Sequence, residues 1–256
     1  MSFSDFNSHN SVQDLVATSQ IKYFLLTFAL QNSKYVQTQI FDSAFGSRPN
    51  AMINANQNWV GRDDVTELYF RDWDHLKTVF QSEYVRTKIG PDGINFGDLE
   101  TMSVLMAKEK HLGLHTRLSE QMADRSIEKC DATVAMYFVS TTNNIREGEG
   151  VEKVISPHFI KALEDNAGDD AWDLVVNVGV VSSHFDLNAY FGGGSMPQYA
   201  LVYKVFMKDN ASVPALRKAQ AALKDLVINH INFHDSFIIF GRECLILDAG
   251  NGIRVS

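Results

Sequence analysis

Eight histidines are spread along 256 residues, and their neighbours decide which of them could move protons. His158 follows Ser156-Pro157, a pair that favours a helix start with Ser as N-cap and Pro at the first helical position. In such a first turn the helix dipole favours a neutral imidazole, the form that a general base needs. His184 falls at the end of an apolar run, with Asp186 to orient its ring and Tyr190 just beyond. Neutral histidine beside a carboxylate and a phenol suits proton transfer on a polyphenol or polyketide, although plain surface loops would read the same way. His111 and His115, like His230 and His234, are four apart, the spacing that sets two imidazoles on one helical face. His230 continues the apolar stripe of its helix with Asp235 close by, but no third metal ligand can be placed. The run Gly192-Gly193-Gly194-Ser195 leads into Pro197 and a strand, whereas a phosphate cradle needs a helix N-terminus. Neither a nucleophile elbow, nor HExxH, nor a P-loop occurs.

Strands and helices must position these groups. Residues 171–183 (AWDLVVNVGVVSS) alternate as a strand, with Leu174, Val176, Val178 and Val180 on one face. Asp173, Asn177 and Gly179 share the other face with Val175 and Val181. The aliphatic face suits covering helices and leaves Asn177 turned the opposite way, where Tyr137 and Tyr203 are expected as well. A few polar groups in apolar surroundings fit small-molecule recognition. Trp59, in the loop-like stretch 45–62, reads as an anchor on the core or as a wall over a ligand. With His230 and Tyr190, these complete the candidate ligand contacts.

Residues 65–71 are strand-like. Asp72 can cap a helix whose stripe is Trp73, Leu76, Phe80 and Tyr84, and Gly90-Pro91-Asp92-Gly93 is expected to stop it. Residues 99–107 are strand-like again. A matching strand–helix–strand unit follows near the C-terminus. It comprises residues 199–207, a helix starting near Ser212 and Pro214 with Leu216, Ala219, Leu223, Val227 and His230 on one face, and residues 236–247. Residues 132–140, a helix from Ser156, and residues 171–183 precede it. The second half therefore runs strand, helix, strand, strand, helix, strand, the ferredoxin-like order with both helices on one face of an antiparallel sheet.

Residues 65–108 resemble the second half of an EthD-type domain, a branch of the dimeric α/β barrel superfamily, and Lys34-Tyr35-Val36-Gln37 resembles that domain's second strand. The likeness covers about residues 34–110; the second half matches in the order of its elements. What the resemblance implies is an α+β fold of two ferredoxin-like halves forming a tandem dimeric α/β barrel. Residues 1–112 would be the EthD-like half, 113–130 a connector and 131–256 the second half. Residues 11–31 read as a helix, and the strand that should precede it is not found. Either residues 21–30 are that strand and the helix is lost, or the first strand is missing.

A net charge of −8 without a basic block excludes nucleic acid and anionic membranes as expected partners. The opening twenty residues carry no secretory pattern, and IKYFLLTFAL is about half a membrane span, so a cytoplasmic protein is expected. Cys130 and Cys244 read as two buried thiols in a reducing compartment. For function, the resemblance implies a hollow between facing sheets that admits a hydrophobic small molecule. The first expectation is a cofactor-independent natural-product tailoring enzyme, a cyclase, dehydratase or decarboxylase acting on an aromatic or polyketide-like molecule by acid–base catalysis. His158, His184 and Asp186 would be catalytic, with no metal and no bound cofactor. A non-catalytic binder or accessory barrel is the alternative, since active sites need a rigid frame that a missing strand would weaken. Haem held by a histidine, as in some duplicated barrels of the superfamily, comes third. A homodimer is left open.

Overall fold

The structure, a computed structural model, describes residues 33–45, 64–92, 95, 103–122, 132–183, 185, 190, 197–248 and 252–253. It is a mixed α/β protein. Its strands are β1 (Lys34–Phe45), β2 (Asp64–Tyr69), β3 (Ala107–His111), β4 (Ala132–Val139), β5 (Ala171–Gly179), β6 (Leu201–Met207), β7 (Phe237–Asp248) and β8 (Gly252–Ile253). Its main helices are α1 (Trp73–Gln81), α2 (Arg117–Met122), α3 (Glu149–Ala167) and α4 (Val213–Val227). Hydrogen bonding orders the strands β2-β1-β7-β4-β6-β5-β3, with β8 on β7. Two compact units divide the chain. One spans Met1–Val36, Thr66–Phe96 and Leu245–Ser256, the other Gln37–Val65 and Gly97–Cys244.

In the smaller unit, Asp72 caps α1 as the sequence predicts, its carboxylate accepting the N–H of His75 at 2.7 Å. Leu76, Val79 and Phe80 form the buried stripe, and Phe70 packs on Phe80 with ring centroids 5.8 Å apart. The helix does not run on to Gly90. Ser82 ends it, because both its N–H and its hydroxyl donate to the carbonyl of Val79. The chain then resumes as a π-helical turn, Val85–Ile89, and an α-helical turn, Gly90–Asp92. Pro91 is thus inside a helical turn and does not act as a stop, and Tyr84 lies beyond α1.

The larger unit contains β4, α3, β5, β6, α4 and β7 in that chain order, with β7-β4-β6-β5 as the sheet order. The pairings of β4 with β6 and β7, and of β5 with β6 and β3, are antiparallel. This is the ferredoxin-like arrangement expected for the second half. Both helices cover one face. Leu216, Ala219, Leu223 and Val227 of α4 are at most 1% exposed, and they share a core with Ile155, Phe159 and Leu163 of α3. From the sheet, Ala135, Tyr137 and Val139 of β4, Leu174 and Val176 of β5, and Leu201, Tyr203 and Val205 of β6 complete it.

Two expectations of the sequence fail locally. The helix α3 begins at Glu149, upstream of Ser156-Pro157, so that pair lies inside it. The cause is a close approach of three backbone segments. Gly148 donates its N–H to the carbonyl of Gly179 at 2.9 Å and accepts the N–H of Glu152 at 2.8 Å, while a Cβ on Gly148 would collide with the carbonyl oxygen of Ala200. Of the strand expected at 99–107, residues 99–102 lie outside the described residues and 103–106 are not strand; β3 runs Ala107–His111, exposed and paired with β5. Only the short α2 follows it before β4 among the described residues.

Gly241 of β7 marks a second tight approach. An added Cβ would lie 2.5 Å from Cγ2 of Thr38 and 2.6 Å from the backbone oxygen of Gln39, both on β1. Gly241→Ala is therefore expected to destabilise the protein by roughly 1–3 kcal/mol, because a backbone atom cannot yield as a side chain can. Gly150→Ala, in the first turn of α3 with nothing within 4 Å of the new methyl, should instead raise stability by about 0.5–1 kcal/mol. Urea unfolding of both variants measures the contrast.

Candidate functional site

Strand alternation gives the sheet of the larger unit a second face, turned away from α3 and α4. Val134, Met136 and Phe138 of β4, Val202, Lys204 and Phe206 of β6, and Phe237, Ile239, Gly241 and Glu243 of β7 point there, as the register places Met136 against both Lys204 and Ile239. β5 contributes Trp172, Val175 and Asn177, with Val175 opposite Lys204 and Asn177 opposite Val202. Ile40, Val65 and Leu105 pack against the same cluster. Aromatic rings dominate it. Phe138 and Phe237 stack at 4.7 Å and 8°, Tyr199 meets both edge-on at 5.7 Å, and Trp172 leans on Phe206 at 5.0 Å. Phe138, Trp172 and Asn177 remain partly exposed.

Into this apolar surface the chain sets one ion pair. Nζ of Lys204 lies 3.4 Å from Oε2 of Glu243, and the two side chains are 3% and 1% exposed. The lysine also stands 6.0 Å from the centroid of the Phe206 ring. Lysine and glutamate are almost never fully buried unless paired. At the β3 edge of the same face, Nε2 of His111 lies 2.7 Å from Oδ1 of Asp173, which also accepts the N–H of Leu174. Asp173 shares this face with Val175 and Asn177 by alternation, and the bulge between Ala171 and Asp173 lets Trp172 join them.

The candidate residues read from the sequence are distributed as follows. Asn177 is on the far face, as its alternation predicts. Tyr137 and Tyr203 are not; both are fully buried on the helix side, each packed on Phe159, with the Tyr203 hydroxyl 2.9 Å from that of Ser156. Burial pushes both phenols well above their ordinary range, only partly offset by the contacts with Gln220 and Ser156, so they stay protonated. His158 lies in the body of α3, where the first-turn dipole argument does not hold, and on the helix side of the sheet. His230 is exposed in the turn after α4, which ends at Val227, and is off the apolar stripe. His111 is on a strand, so it and His115 do not share a helical face. Tyr190 is exposed and leans on Phe185 at 5.5 Å. His184, Asp186, Trp59 and Cys130 lie outside the described residues, and Cys244 is half-buried.

The sequence reading passed over Lys204 and Glu243. Lys204 is the sole charge in LVYKVFM, and a charge inside an otherwise apolar strand is itself a signal. Its partner, 39 positions away in the chain, is fixed only by the sheet. Among the described residues, no three His, Cys, Asp or Glu side chains are placed to hold a metal ion, and no helix is long and apolar enough to cross a membrane.

A helix-backed antiparallel sheet whose other face is aromatic, with a sparse polar set, defines the class of architecture. The EthD domain family model matches residues 22–100, less than half of the chain, and β1, β2 and α1 fall within the match. No curated protein and no solved structure matches the chain.

Lys204→Met leaves the Glu243 carboxylate buried without its partner and should cost about 3–5 kcal/mol in urea unfolding. The double variant Lys204→Met with Glu243→Leu fills the same space with apolar atoms. It should be as stable as the native chain, or up to about 4 kcal/mol more so.

Proposed function

We propose that the chain is a cofactor-independent tailoring enzyme of the cyclase, dehydratase or decarboxylase type, with a hydrophobic aromatic or polyketide-like small molecule as substrate, in a cytoplasmic setting. In this reading the N-terminal part, residues 1–112, pairs with residues 131–256 as a tandem of ferredoxin-like halves, and the substrate lies against the far face of the sheet. The observation that carries the reading is that face itself: Phe237, Tyr199 and Phe206 form a buried aromatic cluster whose partly exposed margin is Phe138 and Trp172, with Asn177 beside them. Such a surface holds a flat ring system by stacking, and one amide fixes its orientation through a hydrogen bond. The EthD match at residues 22–100 supports the same reading. His184 with Asp186 remains the proposed proton-transfer pair, and His158 is retained as a further candidate to be tested with them.

Anthrone, a tricyclic aromatic ketone, is a suitable probe. It should change the tryptophan fluorescence saturably, and the change should vanish in Trp172→Phe. Asn177→Ala should weaken binding several-fold, the equivalent of about 0.5–1.5 kcal/mol for one hydrogen bond. Hydroxylated anthrones should be turned over by the native protein and not by His184→Ala. Saturable binding without turnover would instead make the protein a binder, and fluorescence insensitive to the probe would remove the reading.

A further inference from the structure

We propose that Lys204 and Glu243 form an anion-receiving site, which takes a phenolic or enolic hydroxyl of the ligand as its oxyanion while Glu243 keeps the proton. The inference rests on the aromatic face being the ligand surface and adds the chemical class of the group that docks there.

The first support is energetic. Removing an ammonium and a carboxylate from water costs several kcal/mol per ion, and apolar replacements of such pairs are commonly neutral or stabilising. A pair that is 3% and 1% exposed among Val134, Met136 and Phe206 therefore contributes little to stability beyond what leucine and methionine would give. Strongly desolvated charge partners of this kind concentrate at functional sites. The second support is geometric. At 3.4 Å the contact is longer than the 2.7–2.9 Å of a well-formed charge-assisted hydrogen bond, so the ammonium is not held by Glu243 at its optimum. The third is placement. Nζ of Lys204 stands 6.0 Å from the Phe206 centroid, the partly exposed Trp172 lies tilted against Phe206 at 5.0 Å, and Asn177, opposite Val202, is on the other side of Lys204 along the sheet. A ring entering at Trp172 and Asn177 would bring a hydroxyl substituent toward the ammonium. Among the described residues, Glu109, His111 and Asp173 are further charged groups at the β3 edge of this face, where His111 lies 2.7 Å from Asp173.

The exchange balances without a further reactant. The ligand O–H bond breaks, its proton passes to the Glu243 carboxylate, and the electron pair stays on the ligand oxygen against the Lys204 ammonium. One positive and one negative charge are buried before and after the step. A carboxylate confines its charge to two oxygens, whereas a phenolate or enolate spreads it into a π-system that the surrounding rings can stack upon. The delocalised anion is the one that a poorly solvated site tolerates better.

The test uses para-nitrophenol, whose neutral and ionised forms absorb differently, in a buffer well on the acid side of its own ionisation. The native protein is expected to raise the phenolate band roughly tenfold or more over buffer, the equivalent of about one pH unit, and to saturate in step with the Trp172 fluorescence change. The Lys204→Met, Glu243→Leu double variant should still quench Trp172 but hold the probe as the neutral phenol. Fluorescence change without any phenolate band in the native protein overturns the inference and leaves the ligand surface standing. A phenolate band undiminished in the double variant also overturns it. Failure of para-nitrophenol and anthrone alike to affect Trp172 in the native protein overturns the surface and the inference together. The native measurement decides without any variant, so a poorly folding substitution does not remove the test.

Discussion

Everything in the larger unit depends on β6 being covered on both sides. All seven of its residues, Leu201 to Met207, are buried, so each side chain must satisfy one of two different surroundings. Leu201, Tyr203, Val205 and Met207 enter the core beneath α3 and α4, while Val202, Lys204 and Phe206 enter the aromatic cluster opposite. Because strand parity is rigid, a slip of one residue would put Lys204 among Leu163, Leu216 and Leu223 and take Tyr203 away from Ser156. The lysine and the tyrosine together therefore fix the register of the central strand far more firmly than interchangeable aliphatic residues could.

The two faces handle polarity differently. On the helix side it is neutral and local, two protonated phenols and the serine of α3. Nearer its margin, Glu152 of α3 meets Lys110 of β3 at 3.0 Å, a pair whose lysine reaches solvent. On the far side the paired charges of Lys204 and Glu243 are both buried, 3% and 1% exposed. The contrast directs attention to the face without helices.

Much of the fold was legible because it rests on short-range rules. The capping carboxylate of Asp72, the stripe of α4 from Leu216 to Val227 and the two-residue period of β5 from Asp173 to Gly179 are local, and each is found where the sequence puts it. What failed was non-local. Ser156-Pro157 is a good helix start in isolation, but the contact of Gly148 with Gly179 and Ala200, assembled from three separate segments, begins the helix earlier. Tyr137 and Tyr203 were expected on the same face as Asn177. The cross-strand pairing of Val176 with Tyr203, which no single strand reveals, turns them the other way. The candidate site was legible only in part for the same reason: Asn177 follows from parity alone, whereas Lys204 acquires meaning from a glutamate two strands away.

Among the described residues, one end of the strand order has no further strand. β3 reads Ala-Lys-Glu-Lys-His, and all five residues are exposed, with β5 on one backbone edge and no described strand on the other. Exposed edges of this kind invite the strands of other chains, and charged side chains are the usual deterrent. Two copies attempting to extend the sheet through β3 would have to desolvate four charged or polar side chains on each side. Growth into fibrous aggregates from this border is thereby disfavoured, and neutralising Lys108 and Lys110 would make the chain markedly more prone to precipitate.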